Sequence, residues 1–273
     1  LNVARMTFSL TDVGSLVAFE ALESIDESTI LVPEGGTWQL PALTSLINSG
    51  VTISNGATLN APALLTYSNS TIAPPLRVSG TGTMTAPLLV DITNLQFDIR
   101  GGAQVTFPSV TGYAWEICSS STLFLIDGAG TALGLPGLQH FNIGAPSCGA
   151  TPSVNVTNGG HLDLGGLTSI TTESVNSLSI ALFAGGTMDL DSLLTAMKTN
   201  FSIDDTSSLD LPLLESLSQC TINVAPGGVL TANNLSSVSG MNFSIGSVGG
   251  AVTFDGLASM SDSDINLSGS GSW

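Results

Sequence analysis

Trp38-Gln39-Leu40-Pro41-Ala42-Leu43-Thr44-Ser45-Leu46 is the stretch on which the fold turns. Trp38 and Leu40 alternate with a polar residue, as on a strand with one buried face, and two further apolar residues follow at Leu43 and Leu46. Written as h-x-h-x-x-L-x-S-h, the same arrangement stands one copy earlier as Val17-Ala18-Phe19-Glu20-Ala21-Leu22-Glu23-Ser24-Ile25. Later copies are anchored at Leu59, Met84, Val105, Leu133, Leu162, Met188, Leu209, Leu230 and Val252. The anchors lie 21, 21, 25, 21, 28, 29, 26, 21, 21 and 22 residues apart. All 44 apolar positions of the eleven copies are filled by apolar residues, in a chain that is 42% hydrophobic. Chance does not produce that agreement.

A period of this length, sustained from end to end, is the signature of a solenoid in which each repeat buries its apolar face only against its neighbours. Eight or nine residues before the anchors, a second alternating segment recurs: Val51-Thr52-Ile53, Phe97-Asp98-Ile99, Phe124-Leu125-Ile126, Val154-Asn155-Val156, Phe201-Ser202-Ile203 and Phe243-Ser244-Ile245. Glycine pairs such as Gly35-Gly36, Gly159-Gly160 and Gly185-Gly186 separate the two segments, where a chain must turn sharply between sheets. A leucine-rich horseshoe has repeats of similar length, but it needs a regular asparagine ladder and a helical limb. Here asparagine is irregular and the second limb alternates as a strand. The expected fold is a right-handed parallel β-helix of about eleven coils, all-β, forming a single domain over residues 1–273. At roughly 4.8 Å per coil it makes a rod on the order of 50 Å long. Residues 1–10 and the tail to Trp273 are the candidate end covers. Longer inserted turns are expected around 112–122 and 143–153. Cys118 and Cys148 fall at similar distances past their anchors, so a disulfide between them is one of two open outcomes. Cys220 would be a buried free thiol.

The composition narrows the function. Four basic residues, Arg5, Arg77, Arg100 and Lys198, face 21 acidic ones, for a net charge of −17. Nucleic acid needs clustered Lys and Arg, so it is not an expected partner. No run of about 18 apolar residues exists, so no membrane-spanning helix is expected. Scarce lysine with abundant Ser, Thr, Gly and Asn fits a secreted or cell-surface protein. The sequence opens without a charged n-region and apolar h-region, so any signal peptide is expected to have been removed.

Residues beside each anchor should point outward. One such column runs Thr37, Thr58, Thr83, Gln104, Ala132, His161, Thr187, Ser208, and the other Gln39, Asn60, Thr85, Thr106, Gly134, Asp163, Asp189, Asp210, Thr231, Thr253. This face could line up donors and acceptors along an extended polysaccharide, or it could simply carry the threonine that exposed strands favour. An ice-binding role fits less well because Gln104, Ala132 and His161 interrupt the threonines. Candidate ligand-binding residues are Gln104, Thr106, His161, Asp163, Asp189 and Asp210, with Trp115, in the first inserted turn, as the ring expected to stack on a sugar. Trp38, Tyr67 and Tyr113 belong to core columns. The aspartates stack on successive coils, and oxygen ligands of that kind suit Ca²⁺. A solvated acidic stripe is the plainer reading, and no cofactor is expected. Catalysis is not expected either. Paired carboxylates hydrolyse glycosides only in a pocket that tunes the acid, and no basic proton abstractor, nucleophile triad or zinc pattern accompanies them.

The repeat architecture, the polar face and the acidic, cation-poor composition together resemble extracellular leucine-rich β-solenoid modules, among them a β-helical xylan-binding carbohydrate-binding module. The resemblance implies a non-catalytic module that holds an attached enzyme on a plant polysaccharide of neutral or weak charge, such as xylan. The alternatives are a stalk or adhesin segment of a surface protein, and a β-helical polysaccharide lyase or hydrolase.

Overall fold

The structure, a computed structural model, describes residues 1–9, 13–144, 148–173, 176–246 and 250–267. It is a parallel β-solenoid of about twelve turns, and among the described residues it contains no helix. A turn contributes three short strands rather than the two visible as alternating segments, except that at Asp91 the serine-rich sheet narrows to a single bridge. The reason lies within the nonapeptide itself. Thr37–Gln39 is one strand, Pro41 and Ala42 turn a corner, and Ser45–Ile47 opens a second strand on another face. The recurrent serine of the motif therefore marks a strand start. The repeat reads as one unit because its four apolar residues line the same core from both sides of that corner.

Three faces result. The anchor sheet carries all eleven anchors, from Leu16–Ala18 to Ala251–Thr253. A serine-rich sheet runs from Asn2–Ala4 to Ser259–Ser261. The third face, the long sheet, has twelve strands from Thr7–Ser9 to Asp264–Leu267 in unbroken sequence. Pairing joins equivalent residues of successive coils: Trp38 lies opposite Val17 and Leu59, Phe97 opposite Phe124, and Leu46 opposite Ile25 and Tyr67. Residues 2–9 therefore begin the first coil instead of covering it. The expected cover at the other end, 268–273, lies outside the described residues.

From Leu22 to Val252 every motif position is buried. Only the end coils differ: Val17, Phe19, Phe254 and Leu257 are half-buried and Met260 is exposed. Aromatic rings concentrate at mid-rod, where Phe124 meets Phe97, Tyr113 and Phe141 at centroid distances of 5.1, 5.0 and 5.6 Å. Tyr67 and Tyr113 donate their hydroxyls to the carbonyls of Ser49 and Leu95, so both rings sit in the core without an orphaned polar group. Burial raises both phenols far above their ordinary range.

In eight coils the corner between the serine and long sheets turns on a left-handed residue, at Arg5, Glu27, Asn48, Asn94, Lys198, Gln219, Gly240 and Asp262. Asparagine is the non-glycine residue best suited to this conformation. A local asparagine ladder forms where Asn48 and Asn94, both left-handed, stack on either side of Asn69. Asn69 and Asn94 exchange side-chain-to-carbonyl bonds of 3.2 and 2.8 Å, and Asn48 Oδ1 accepts the N–H of Ser70. The irregularity of asparagine along the chain conceals this three-coil ladder.

Candidate functional site

The anchor sheet presents the two polar columns in register. Thr37, Thr58 and Thr83 stack, as do Gln104, Ala132, His161 and Thr187. Beside them stack Gln39, Asn60 and Thr85, then Thr106, Gly134, Asp163 and Asp189, then Asp210, Thr231 and Thr253. The side chains bond along the rod. Asn60 Nδ2 donates to Gln39 Oε1 at 2.7 Å, and the Thr58 and Thr83 hydroxyls lie 3.2 Å apart.

The sheet is divided into three segments, broken after Thr83–Thr85 and after Thr187–Asp189. At the first break a shallow groove of about 260 Å³ opens between Thr83 and Gln104. The second break separates Asp210 from the paired Asp163 and Asp189, so the three aspartates do not form one continuous ladder. His161 bridges the remaining pair of coils: Nδ1 lies 2.9 Å from Thr187 Oγ1 and Nε2 lies 3.5 Å from Asp189 Oδ2. Asp163 Oδ1 accepts the N–H of Gly165 at 2.9 Å, which commits that carboxylate to the corner after its own strand. Gln104, Thr106 and Asp210 are exposed. Among the described residues no group of three or more His, Cys, Asp or Glu side chains gathers as a metal site.

Trp115 is not on the surface. It is 0% exposed, because Gly112–Trp115 is a serine-sheet strand paired with His140–Ile143, in which Tyr113 and Trp115 both point inward. The two residues share a parity, so the alternation that places Tyr113 in the core places Trp115 there too. The inserted residues begin after it, at 116–121, and the indole N–H donates to the Ser119 carbonyl at 3.3 Å. Trp115 thus props the inserted corner from below. That corner and the next are joined by the Cys118–Cys148 disulfide, with Cα atoms 6.1 Å apart. Ala145-Pro146-Ser147, in the second insertion, lie outside the described residues. Asn176, from the following coil, accepts the N–H of Ala150, and the Thr151 N–H donates to Ser120 Oγ, so three successive corners are tied together.

The cations are mostly spent on carboxylates. Arg5 pairs with Glu27, while Arg77 and Arg100 flank the buried Asp98 on the long sheet. Asp204 is occupied likewise. Burial raises its carboxyl, but donors from Ala184 N, Thr206 N and Thr206 Oγ1 outweigh this and hold it below the usual carboxylate range. Asp127 is held low by the side chains of Asn158 and Thr157. Cys220 is the buried free thiol, donating to the Ala196 and Ser218 carbonyls.

One exposed aromatic escaped the sequence reading. Phe183 ends the long-sheet strand Leu178–Phe183 and is 43% exposed, the only exposed aromatic residue among the described residues. The signal was present in its parity: Leu178, Ile180 and Leu182 face inward, which turns Phe183 out. Comparison of the chain with family models, curated proteins and solved structures finds no match.

Proposed function

We propose that this chain is a non-catalytic module that binds an extended plant polysaccharide of neutral or weak charge, such as xylan, and holds an attached enzyme on it. The observation that carries the reading is the anchor sheet: two columns of hydroxyl, amide and carboxylate side chains, in register, one step per coil of roughly 4.8 Å. That step is close to the length of one sugar unit in an extended chain, so within each of the three segments successive sugar units meet polar side chains, Ala132 and Gly134 excepted. The acidic surface, with Arg5, Arg77 and Arg100 already paired, disfavours nucleic acid and polyanionic glycans. The absence of catalytic intent is supported by the engagement of Asp163 and Asp204 in corner capping. A disulfide across two surface corners is in keeping with a secreted or cell-surface location. Calcium enters this reading only as a bridge between the exposed carboxylates and a weakly acidic glycan.

A second reading is a structural stalk. It is favoured by the unbroken twelve-strand long sheet, which makes a stiff spacer whatever the outer faces do. Native affinity electrophoresis through gels containing xylan, β-glucan, mannan or pectin, with and without calcium, separates the two. Retardation by one polysaccharide is the expected result, and free migration through all of them would leave the stalk.

A further inference from the structure

We infer that the long sheet carries an aromatic sugar subsite centred on Phe183, distinct from the anchor columns and resting on the polysaccharide-binding reading above. The groove here has a volume of about 400 Å³. Phe183 forms one wall. In the next coil Asp204 stacks beside the ring, and the two coils after it carry only Ala225 and Gly246 at that position, which leaves a trough beyond Asp204 with Phe183 at its end. Along the trough run Ser202, Asn223 and Ser244, directly in register on three successive coils. Hydroxyl, amide and hydroxyl are thus offered at the coil step, next to an aromatic face.

That combination matches the two surfaces of a pyranose. Its C–H face packs on an aromatic ring, and its equatorial hydroxyls need both donors and acceptors, which Asn223 and the serines supply. A charged ligand is not what the site selects: Asp204, the titratable side chain lining it, is already taken by Ala184 and Thr206. The subsite also adjoins the anchor face. Gly186 N donates to the Phe183 carbonyl at 3.0 Å, a tight turn that leads directly into Thr187–Asp189. A sugar chain lying on Phe183 therefore ends one corner away from His161, Thr187 and Asp189.

The test is titration with a linear xylan oligosaccharide, read by calorimetry, on the wild type, Phe183→Ala, Asn223→Ala and Phe183→Trp. Phe183→Ala is expected to weaken binding roughly tenfold, the scale of one lost aromatic contact. Asn223→Ala is expected to weaken it by a smaller factor. Phe183→Trp is expected to bind at least as well as the wild type, with an emission shift on saturation that exceeds the wild type's, whose own Trp38, Trp115 and Trp273 serve as the control. All three are surface changes, so thermal melts should match the wild type and separate lost binding from lost fold. Wild-type binding that Phe183→Ala leaves unchanged would overturn the subsite while the binding reading stands. A wild type that binds no oligosaccharide and no polysaccharide would overturn the binding reading, and the subsite with it.

Discussion

The paired glycines before four of the anchor strands, Gly35-Gly36, Gly159-Gly160, Gly185-Gly186 and Gly227-Gly228, are required for two different reasons, and Gly159-Gly160 allows the two to be measured separately. Gly159 has φ of +76°, and a Cβ there would sit 3.5 Å from Ala129 Cα, an ordinary contact. Space is available and conformation is the obstacle. A left-handed L-residue costs about 1–2 kcal/mol, and the narrower unfolded ensemble returns about 0.4–1 kcal/mol. Gly159→Ala should therefore lose about 1 kcal/mol, and Gly159→Asn much less, since asparagine tolerates this region. Gly160 has no such φ, but its Cβ would lie 2.7 Å from the Ile126 carbonyl oxygen and 3.1 Å from that of Thr157. The first distance falls about 0.7 Å short of ordinary contact, and the obstacle is the backbone of the preceding coil. Gly160→Ala should cost about 1–3 kcal/mol through forced separation of coils, and Gly160→Asn no less. Urea unfolding at pH 7, followed by far-UV circular dichroism, gives the four midpoints. Asparagine should rescue position 159 and fail at 160. Equal losses for Asn and Ala at 159, or an unchanged midpoint for Gly160→Ala, would refute the assignment.

Three further outcomes follow from the cysteines. The Cys118–Cys148 bridge closes a 30-residue separation, so the Cys118→Ser, Cys148→Ser double variant should lose about 2–4 kcal/mol; equal denaturation midpoints for the wild type with and without reductant would contradict this. Burial pushes the Cys220 thiol up to about 11, against about 8.5 for an exposed one. The native protein should therefore resist thiol reagents at pH 8 until it unfolds, and rapid labelling of the folded chain would contradict the packing. Because the folded state holds that proton more tightly, Cys220 contributes stability that is full below pH 8.5 and declines as pH rises toward 11. Cys220→Ala should flatten that alkaline limb.

The solenoid was legible because its cause is local and repeated. Each copy must supply inward residues at the same offsets, so eleven weak signals add to one strong one, and the buried columns from Leu22 to Val252 are those read directly from the motif. The outward columns were legible for the same reason, since side chains that alternate along a strand and stack between coils leave little choice of neighbour. The third face was not separated from the motif, because Leu43 and Leu46 are apolar on either reading and a corner leaves no periodic mark.

The site was less legible, and Trp115 shows why. A tryptophan in a lengthened coil reads as exposed when the insertion is taken to begin at Gly112. Only the pairing of Gly112–Trp115 with His140–Ile143 moves the insertion past residue 115 and turns the indole inward. Phe183 is the converse case: its outward direction follows from parity, but the trough beside it depends on Ala225 and Gly246 one and two coils beyond the next, which nothing in Phe183's own segment indicates. The sequence alone thus determined the solenoid, its core columns and its acidic, cation-poor surface, because these depend on the repeat and on composition. The tertiary structure decided the three faces, the breaks that part Asp210 from Asp163 and Asp189, the bridge between Cys118 and Cys148, and which aromatic meets solvent. Each of these depends on where neighbouring coils of unequal length place their corners, a relation between residues some 20 to 30 apart rather than a property of any one coil.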